Sequence, residues 1–180
     1  IYLKDKSHVT VQNLEVTNWP ANATATDNSA GVRDGIRIQI YGAGVKSGIK
    51  ILNNTIRKVR GITARSGLYG NAAIYVITSD TSTNARWDDV LIEGNDISES
   101  TCIGIYVKAP PYYHMYTPSG WATNMRIVGN TFQDMGADHI VLNGCNGPVV
   151  EFNKGYGAGT YGTKGYEMIA GMWTCYKTQD

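Results

Sequence analysis

Two carboxylates and a histidine near the C-terminal end of the sequence are of types that could carry out acid–base chemistry. Asp138 and His139 open the segment "DHIVLNG", and Glu167 lies in the similar segment "YEMIAGM". If these are equivalent strands of a stacked repeat, the two carboxylates lie about 5–6 Å apart. Cleavage of a glycosidic bond needs such a pair, and repulsion at this distance separates the two pKa values. We therefore predict Asp138, Glu167 and His139 as catalytic, with Asp134 as a further candidate; alternatively, Asp138 caps a strand start, as Asp34 would.

A different reaction, β-elimination from a uronate, needs a base and a cation that neutralises the substrate carboxylate. Lys108 with Arg37, or His139 alone, could serve as these groups. Calcium would then be the expected cofactor, but the clustered acidic residues that hold calcium in such lyases are absent from the sequence. We predict no metal site, and no cofactor for hydrolysis.

Basic, aromatic and amide side chains recur at equivalent places in several short segments. Sugar rings stack on aromatic rings, and sugar hydroxyls take hydrogen bonds from polar groups. The predicted substrate-binding residues are Arg37, Tyr75, Tyr106, Lys108 and Asn143 in strands, and Tyr112, Tyr113, His114 and Trp121 in the longest insertion. The alternative is structural, because Tyr75 and Tyr106 would also form an ordinary cross-strand pair, and the loop aromatics could pack onto the rest of the chain.

The elements that position these residues follow from a phrase that the sequence repeats. "GIKILNNTIRKV", "DVLIEGNDIS" and "NMRIVGNTFQDM" all read apolar, x, apolar, x, x, Asn, x, apolar, with Asn54, Asn95 and Asn130 in the same slot. A degenerate copy supplies Asn153, and an earlier one places Leu14 there. The spacing varies while the phrase does not, which indicates a repeated coil with loops of variable length.

Each phrase is followed by a second short strand with period-2 alternation. In these strands we expect the apolar residues to point inward. The inward residues are Ile36 and Ile38, Ile74 and Val76, Ile105 and Val107, and Ile140 and Leu142. The residues between them should face outward in three rows, namely Gly35, Ala73, Gly104 and His139; Arg37, Tyr75, Tyr106 and Val141; and Gln39, Ile77, Lys108 and Asn143.

Strand, turn, strand and loop, repeated in this way, predict an all-β fold: a right-handed, single-stranded parallel β-helix of about five rungs. The repeated asparagines should form one corner, where they tolerate a left-handed backbone and bond to each other between rungs. One domain over residues 1–180 is expected, with loop insertions at about 17–33, 78–88 and 108–124. Because both ends look interrupted, we expect a piece of a longer helix.

These phrases and strands resemble the right-handed parallel β-helix proteins of the pectate-lyase-like superfamily, over nearly the whole chain. The resemblance implies mainly secreted enzymes that act on polysaccharides, including lyases and glycoside hydrolases, and it also includes adhesins and tailspikes. We expect a secreted bacterial protein, extracellular or periplasmic, that cleaves a polysaccharide or oligosaccharide, as a glycoside hydrolase with paired carboxylates. A polysaccharide lyase and a non-catalytic glycan-binding module are the alternatives.

Composition and cysteine spacing limit the partners. A net charge of +1, with 17% charged residues, does not indicate binding to nucleic acid or to a membrane. Exposed helix ends could contact further rungs or another copy. The three cysteines form no metal-binding spacing; they are expected as buried thiols, with a disulfide between Cys145 and Cys175 as the alternative.

Overall fold

The computed structural model describes residues 1–19, 33–60, 71–79, 85–101, 103–109, 120–159 and 171–175. These residues form three sheets of parallel strands. Sheet A contains β1 (Tyr2–Lys4), β4 (Ile36–Ile40), β7 (Ala72–Thr78), β10 (Ile103–Lys108), β13 (Ile140–Asn143) and β17 (Met172–Cys175). Sheet B contains β2 (Thr10–Gln12), β5 (Val45–Leu52), β8 (Arg86–Glu93), β11 (Ala122–Val128), β14 (Cys145–Asn146) and β15 (Val149–Glu151). Sheet C contains β3 (Glu15–Asn18), β6 (Thr55–Val59), β9 (Asp96–Ser100), β12 (Thr131–Met135) and β16 (Lys154–Ala158).

The chain visits the three sheets in the order A, B, C and then repeats, and each strand pairs in parallel with its equivalents in the neighbouring rungs. The predicted fold class, a parallel β-helix of about five rungs, is confirmed. The prediction of two strands per rung is wrong, because the repeated phrase itself contains two strands. In the second rung these are β5 and β6, and Asn54 lies at the bend between them. No helix among the described residues is long and apolar enough to cross a bilayer.

The repeated asparagines form a continuous ladder at the corner between sheets B and C. Each side-chain amide donates to the Oδ1 atom of the next asparagine, at 3.0 Å from Asn54 to Asn95, 2.9 Å from Asn95 to Asn130 and 2.9 Å from Asn130 to Asn153. The backbone N–H of Leu14 donates to Oδ1 of Asn54 at 3.1 Å, as its slot predicts. The predicted alignment of this corner is therefore confirmed.

The left-handed backbone at this corner belongs to the residue before each ladder asparagine. Asn13, Asn53 and Phe152 have φ of 56°, 52° and 56°, and Gly94 and Gly129 occupy the same place in the other rungs. The expectation that the ladder asparagines themselves are left-handed is wrong. The positive φ turns the chain sharply, so that the following asparagine points inward, where its side chain can reach the neighbouring rung.

The interior of the coil is filled by the alternating apolar residues of all three sheets. In sheet A the eight predicted inward residues are all buried, between 0% and 3% exposed. Burying each such aliphatic side chain is worth about 1.5–3 kcal/mol. The inward direction of these residues is confirmed, and it leaves the alternate residues of the same strands for the outer face.

The buried thiol expected for Cys145 is confirmed, because this cysteine is free and fully buried. A disulfide with Cys175 is therefore not formed. Cys175 pairs with Asn143 in sheet A, whereas Cys145 lies in β14 of sheet B. Burial raises the pKa of the Cys145 thiol to about 12, which keeps it protonated.

Candidate functional site

Sheet A is the part of the coil that variable connections flank on both sides. The turn from sheet B to sheet C has two residues in every rung, as between Leu52 and Thr55. In contrast, the chain takes from two to seventeen residues to pass from sheet C to sheet A, the longest stretch being 19–35. The connections that leave sheet A also vary, and the longest spans 109–121. Because functional residues concentrate on variable loops around a rigid scaffold, the outer face of sheet A is the place to look for a site.

Two of the three predicted rows lie on this outer face in the predicted register. Arg37 pairs with Tyr75, Tyr75 with Tyr106, and Tyr106 with Val141. The second row runs through Gln39, Ile77, Lys108 and Asn143. The structure thus brings the five strand residues predicted to bind substrate onto one face.

The two tyrosines of the first row form a stacked, covered pair. Their ring centroids are 5.1 Å apart with an interplanar angle of 6°, and the guanidinium of Arg37 lies 5.1 Å from the Tyr75 centroid. Tyr75 is 1% exposed and Tyr106 is 2% exposed, and burial raises the pKa of Tyr75. The ring faces of this pair are therefore not open to a sugar, and the two residues form the cross-strand pair that was the alternative prediction.

The second row supplies a half-buried cation beside this pair. Asn143, itself buried, donates from Nδ2 to the Tyr106 hydroxyl at 3.1 Å. Burial, followed by repulsion from Arg37, lowers the pKa of the Lys108 amine. A lysine in this environment gives up its proton more readily than one in water does.

The outer face opens into a groove at the end that carries Arg37. This groove has a volume of about 450 Å³. Its lining residues are Ile1, Tyr2, Asn18, Arg33, Asp34, Arg37, Gln39 and Tyr41. Hydroxyl, amide, guanidinium and carboxyl groups converge here with two aromatic rings, which is the composition that a sugar site needs.

Asp34 is the carboxylate of this groove, and sequence reasoning treated it as a strand cap alone. The cap is confirmed, since Oδ1 accepts from the Ala72 N–H at 2.9 Å. Oδ2 meets the Arg37 guanidinium at 3.0 Å, with the carboxylate side chain 6% exposed. Burial raises the pKa of Asp34 to about 6, against the opposing effects of the Ala72 hydrogen bond and Arg37. The spacing of Asp34 and Arg37, three residues apart after a long insertion, was the signal available in the sequence.

The third predicted row does not face outward. A Cβ atom added at Gly35 would lie 2.8 Å from a methyl of Ile56, and one at Gly104 would lie 2.6 Å from the Phe132 ring. His139 stacks on Phe132 with 5.5 Å between ring centroids and is 7% exposed. The row turns into the corner between sheets A and C, so the prediction that His139 opens onto the substrate face is wrong.

His139 instead lines a partly open pocket of about 380 Å³, whose other lining residues include the buried Phe132 and the exposed Phe152 and Met172. Burial lowers the pKa of His139, and a backbone hydrogen bond with Tyr156 opposes this effect. The imidazole is therefore neutral at neutral pH, and it acts in packing at the inner corner.

The predicted pairing of Asp138 with Glu167 rested on an alignment that the structure corrects. Ile140 pairs with Met172, the last residue of "YEMIAGM", so the strand expected at 166–172 is β17 at Met172–Cys175. Gly171 lies beside the His139 ring, where an added Cβ atom would be 3.7 Å from Nδ1, an ordinary contact. Asp138 is 3% exposed, and its carbonyl accepts from the Gly104 N–H at 3.0 Å.

Other predicted residues lie elsewhere. Trp121 is 1% exposed, so the expectation that it lines an open glycan surface is wrong. Asp134 lies in β12 of sheet C, away from the outer face of sheet A, and accepts from the Gln133 amide at 3.3 Å. Glu167, Tyr112, Tyr113 and His114 lie outside the described residues. Among the described residues, no three of His, Cys, Asp and Glu come close enough together to hold a metal ion.

Comparison with known proteins agrees with this architecture. The sequence profile described as "right handed beta helix region" matches residues 34–177. The chain is also similar to lacto-N-biosidase from Bifidobacterium longum subsp. longum, with 25% identity over 227 aligned residues. That alignment covers 96% of this chain and 14% of the relative, so the chain spans a small part of the relative's length. No solved structure matches this chain significantly.

Proposed function

The chain belongs to the family of right-handed β-helix proteins, and we propose that it forms part of a carbohydrate-active enzyme, a glycoside hydrolase. The observation that carries this proposal is the Asp34 groove, where a buried carboxyl group with a pKa of about 6 lies among aromatic, amide and guanidinium side chains of the types that bind sugars. The similarity to a protein named lacto-N-biosidase supports the same class of substrate, an oligosaccharide or polysaccharide.

Asp34 has the properties of a general acid. Below about pH 6 its carboxyl is largely protonated and can donate a proton to the leaving glycosidic oxygen. Arg37 holds the carboxyl in place through the contact with Oδ2. Hydrolysis also needs a second, ionised carboxylate. Asp34 is the one carboxylate among the described residues that line the groove, so we assign the second role to none of them.

A lyase is the second candidate, and Lys108 is the observation in its favour. Its pKa is lowered by burial and by Arg37, as expected for an amine that removes a proton from the carbon next to a uronate carboxylate. Calcium would be the cofactor of that reaction, and none is proposed for hydrolysis. For either reaction we propose a secreted or periplasmic location, because a polymeric substrate would lie outside the cytoplasm.

The test is the release of reducing sugar and the absorbance near 235 nm over a panel of neutral and acidic glycans, the absorbance reporting the unsaturated product of a lyase. On a substrate that is cleaved, Asp34→Asn should lower the rate by about two to four decades, as expected for the loss of a general acid. Asp89→Asn is the matched control, because Asp89 is an exposed residue of sheet B. Asp138→Asn tests the residue predicted from the sequence in the same assay.

Full activity of Asp34→Asn on a cleaved glycan would overturn the role of Asp34. A large loss in Asp138→Asn with none in Asp34→Asn would return the chemistry to the predicted residue. Binding of a glycan without any release would favour the third alternative, a non-catalytic module.

A further inference from the structure

Gln39 is a buried amide whose two ends are both engaged at the floor of the groove. It is 3% exposed. Its Oε1 atom accepts from Arg37 Nε at 2.9 Å and from the Tyr2 hydroxyl at 3.1 Å. Its Nε2 atom donates to the Ser79 hydroxyl oxygen at 2.6 Å. Because arginine only donates, the amide oxygen must face Arg37, and the contact with Ser79 keeps the amide in that orientation.

These contacts continue directly to the carboxyl of Asp34. Arg37 uses Nε for Gln39 and NH1 for Asp34, so its two contacts lie on different nitrogens of one planar group. A guanidinium held at two points cannot rotate without losing one of the contacts. The other end of the chain of contacts is rigid too, since Asp34 accepts from the Ala72 N–H of the next rung.

The equivalent positions in later rungs show that this amide is not a requirement of the coil. Ile77, Lys108 and Asn143 occupy the same row, and none of them has an arginine two residues before it in the sequence. A buried glutamine that is hydrogen-bonded at both ends of its amide therefore occurs at the rung where the row meets the groove.

We infer that Gln39 is a positioning residue for Asp34, which acts by locking Arg37 so that its NH1 atom stays on the carboxyl. This inference rests on the proposed function, in which Asp34 is the general acid. Gln39 does not touch the reacting atoms; it determines how firmly a cation is held against the acid, and thereby the pH range in which the acid keeps its proton. The charged and titratable groups around Asp34 are Arg37, the Ile1 amine and Tyr75, with Arg33, Tyr2 and Tyr41 also lining the groove.

The experiment follows the Asp34 carboxyl by carbon-detected NMR titration and, in parallel, the pH dependence of kcat/KM. In Gln39→Glu a new carboxylate competes for Arg37 and adds a negative charge near Asp34. We expect the Asp34 titration midpoint to move up by about one pH unit, at the lower end of the effect of a nearby charge. Gln39→Met, which removes all three hydrogen bonds of the amide at similar volume, should move the Asp34 midpoint in the same direction by less, as should Ser79→Ala.

The high-pH limb of kcat/KM should move with the NMR midpoint in each variant, which a purely structural role of Gln39 would not produce. Gln133→Met is the control, because Gln133 is an exposed glutamine of sheet C and should leave both curves unchanged. If Gln39→Met does not fold, the charge variant and Ser79→Ala carry the test.

An unchanged Asp34 midpoint in Gln39→Glu and Ser79→Ala would overturn the inference even in an active enzyme. The two proposals fail in distinguishable ways. If the wild-type protein cleaves no glycan, the proposed function fails, while the NMR titration still decides whether Gln39 controls the ionisation of Asp34 through Arg37.

Discussion

The asparagine corner and the outer face of sheet A are both columns of residues at equivalent positions of successive rungs, but they differ in uniformity. The corner repeats one residue type, and each side-chain oxygen accepts from the rung before it. The outer face changes from arginine to tyrosine to valine along one row. A uniform column satisfies its own hydrogen bonds and presents nothing to a ligand. A varied column leaves local differences in charge and burial, and at one end these produce the Asp34 groove.

The largest effect that this comparison predicts is at the middle of the ladder. Asn95→Ala removes the acceptor of the Asn54 N–H and the donor to the Ile51 carbonyl, both buried. Each buried polar group left without a partner costs about 1–3 kcal/mol, so the free energy of unfolding should fall by about 4 kcal/mol. Urea denaturation measures this value.

Asn153→Ala is the matched control for that variant, since its side chain is only half-buried and water can replace part of the lost contacts. Asn153→Ala should lower the free energy of unfolding clearly less than Asn95→Ala does. A loss below about 1 kcal/mol for Asn95→Ala would mean that the ladder is not a main source of stability.

The second prediction concerns the ionisation of Asp34. The asparagine corner has no equivalent effect, because its side chains do not titrate. Because its pKa is raised from 3.8 to about 6, the folded state binds the proton more tightly than the unfolded state does. The contribution of Asp34 to stability is therefore highest below about pH 4 and is lost as the pH rises to about 6 and beyond, by about 3 kcal/mol in all. Asp34→Asn lacks this titration.

The measurement is the difference in unfolding free energy between wild type and Asp34→Asn at several pH values. Wild type should lose stability relative to the variant as the pH rises from 4 to 7. A difference that stays constant with pH would show that burial does not raise the pKa of this carboxyl.

The smallest predicted effect is at the N-terminal end of the ladder. Leu14 occupies the ladder slot but is 46% exposed. Leu14→Asn adds an amide whose groups water already satisfies, so the free energy of unfolding should change by no more than about 0.5 kcal/mol. Thermal or urea unfolding would detect a larger gain, which would indicate that an asparagine at this position extends the ladder and stabilises the corner.

Much of the fold could be predicted because the coil imposes local rules at every turn. The corner phrase requires an asparagine between two alternating strands, and the pattern recurs at Asn54, Asn95 and Asn130 whatever the loop length between them. The same alternation predicted the register of the four strands of sheet A that carry the site rows, β4, β7, β10 and β13. The alignment failed at β17, where the glycine opposite His139 and the long connection before Met172 hide the period.

The candidate site was predicted in part, for a physical reason that particular residues make plain. Sequence alternation assigns Arg37, Tyr75 and Tyr106 to one face, and the structure places them there. Alternation ends at the bends, however, and so it assigned His139 to the wrong side. Alternation along a strand also does not show which outward-facing residues other parts of the chain cover, and both tyrosines are covered in this way.

The sequence by itself determined the coil, its asparagine corner and the inward apolar residues, because these depend on contacts between equivalent positions one rung apart. The tertiary structure alone decided which carboxylate meets a groove. Burial raises the pKa of Asp34. Its carboxyl group is oriented by the Ala72 N–H of the next rung and by Arg37 of the same rung. A pKa and a cavity depend on every atom that surrounds a group in space, and the order of residues along the chain does not state which atoms those are.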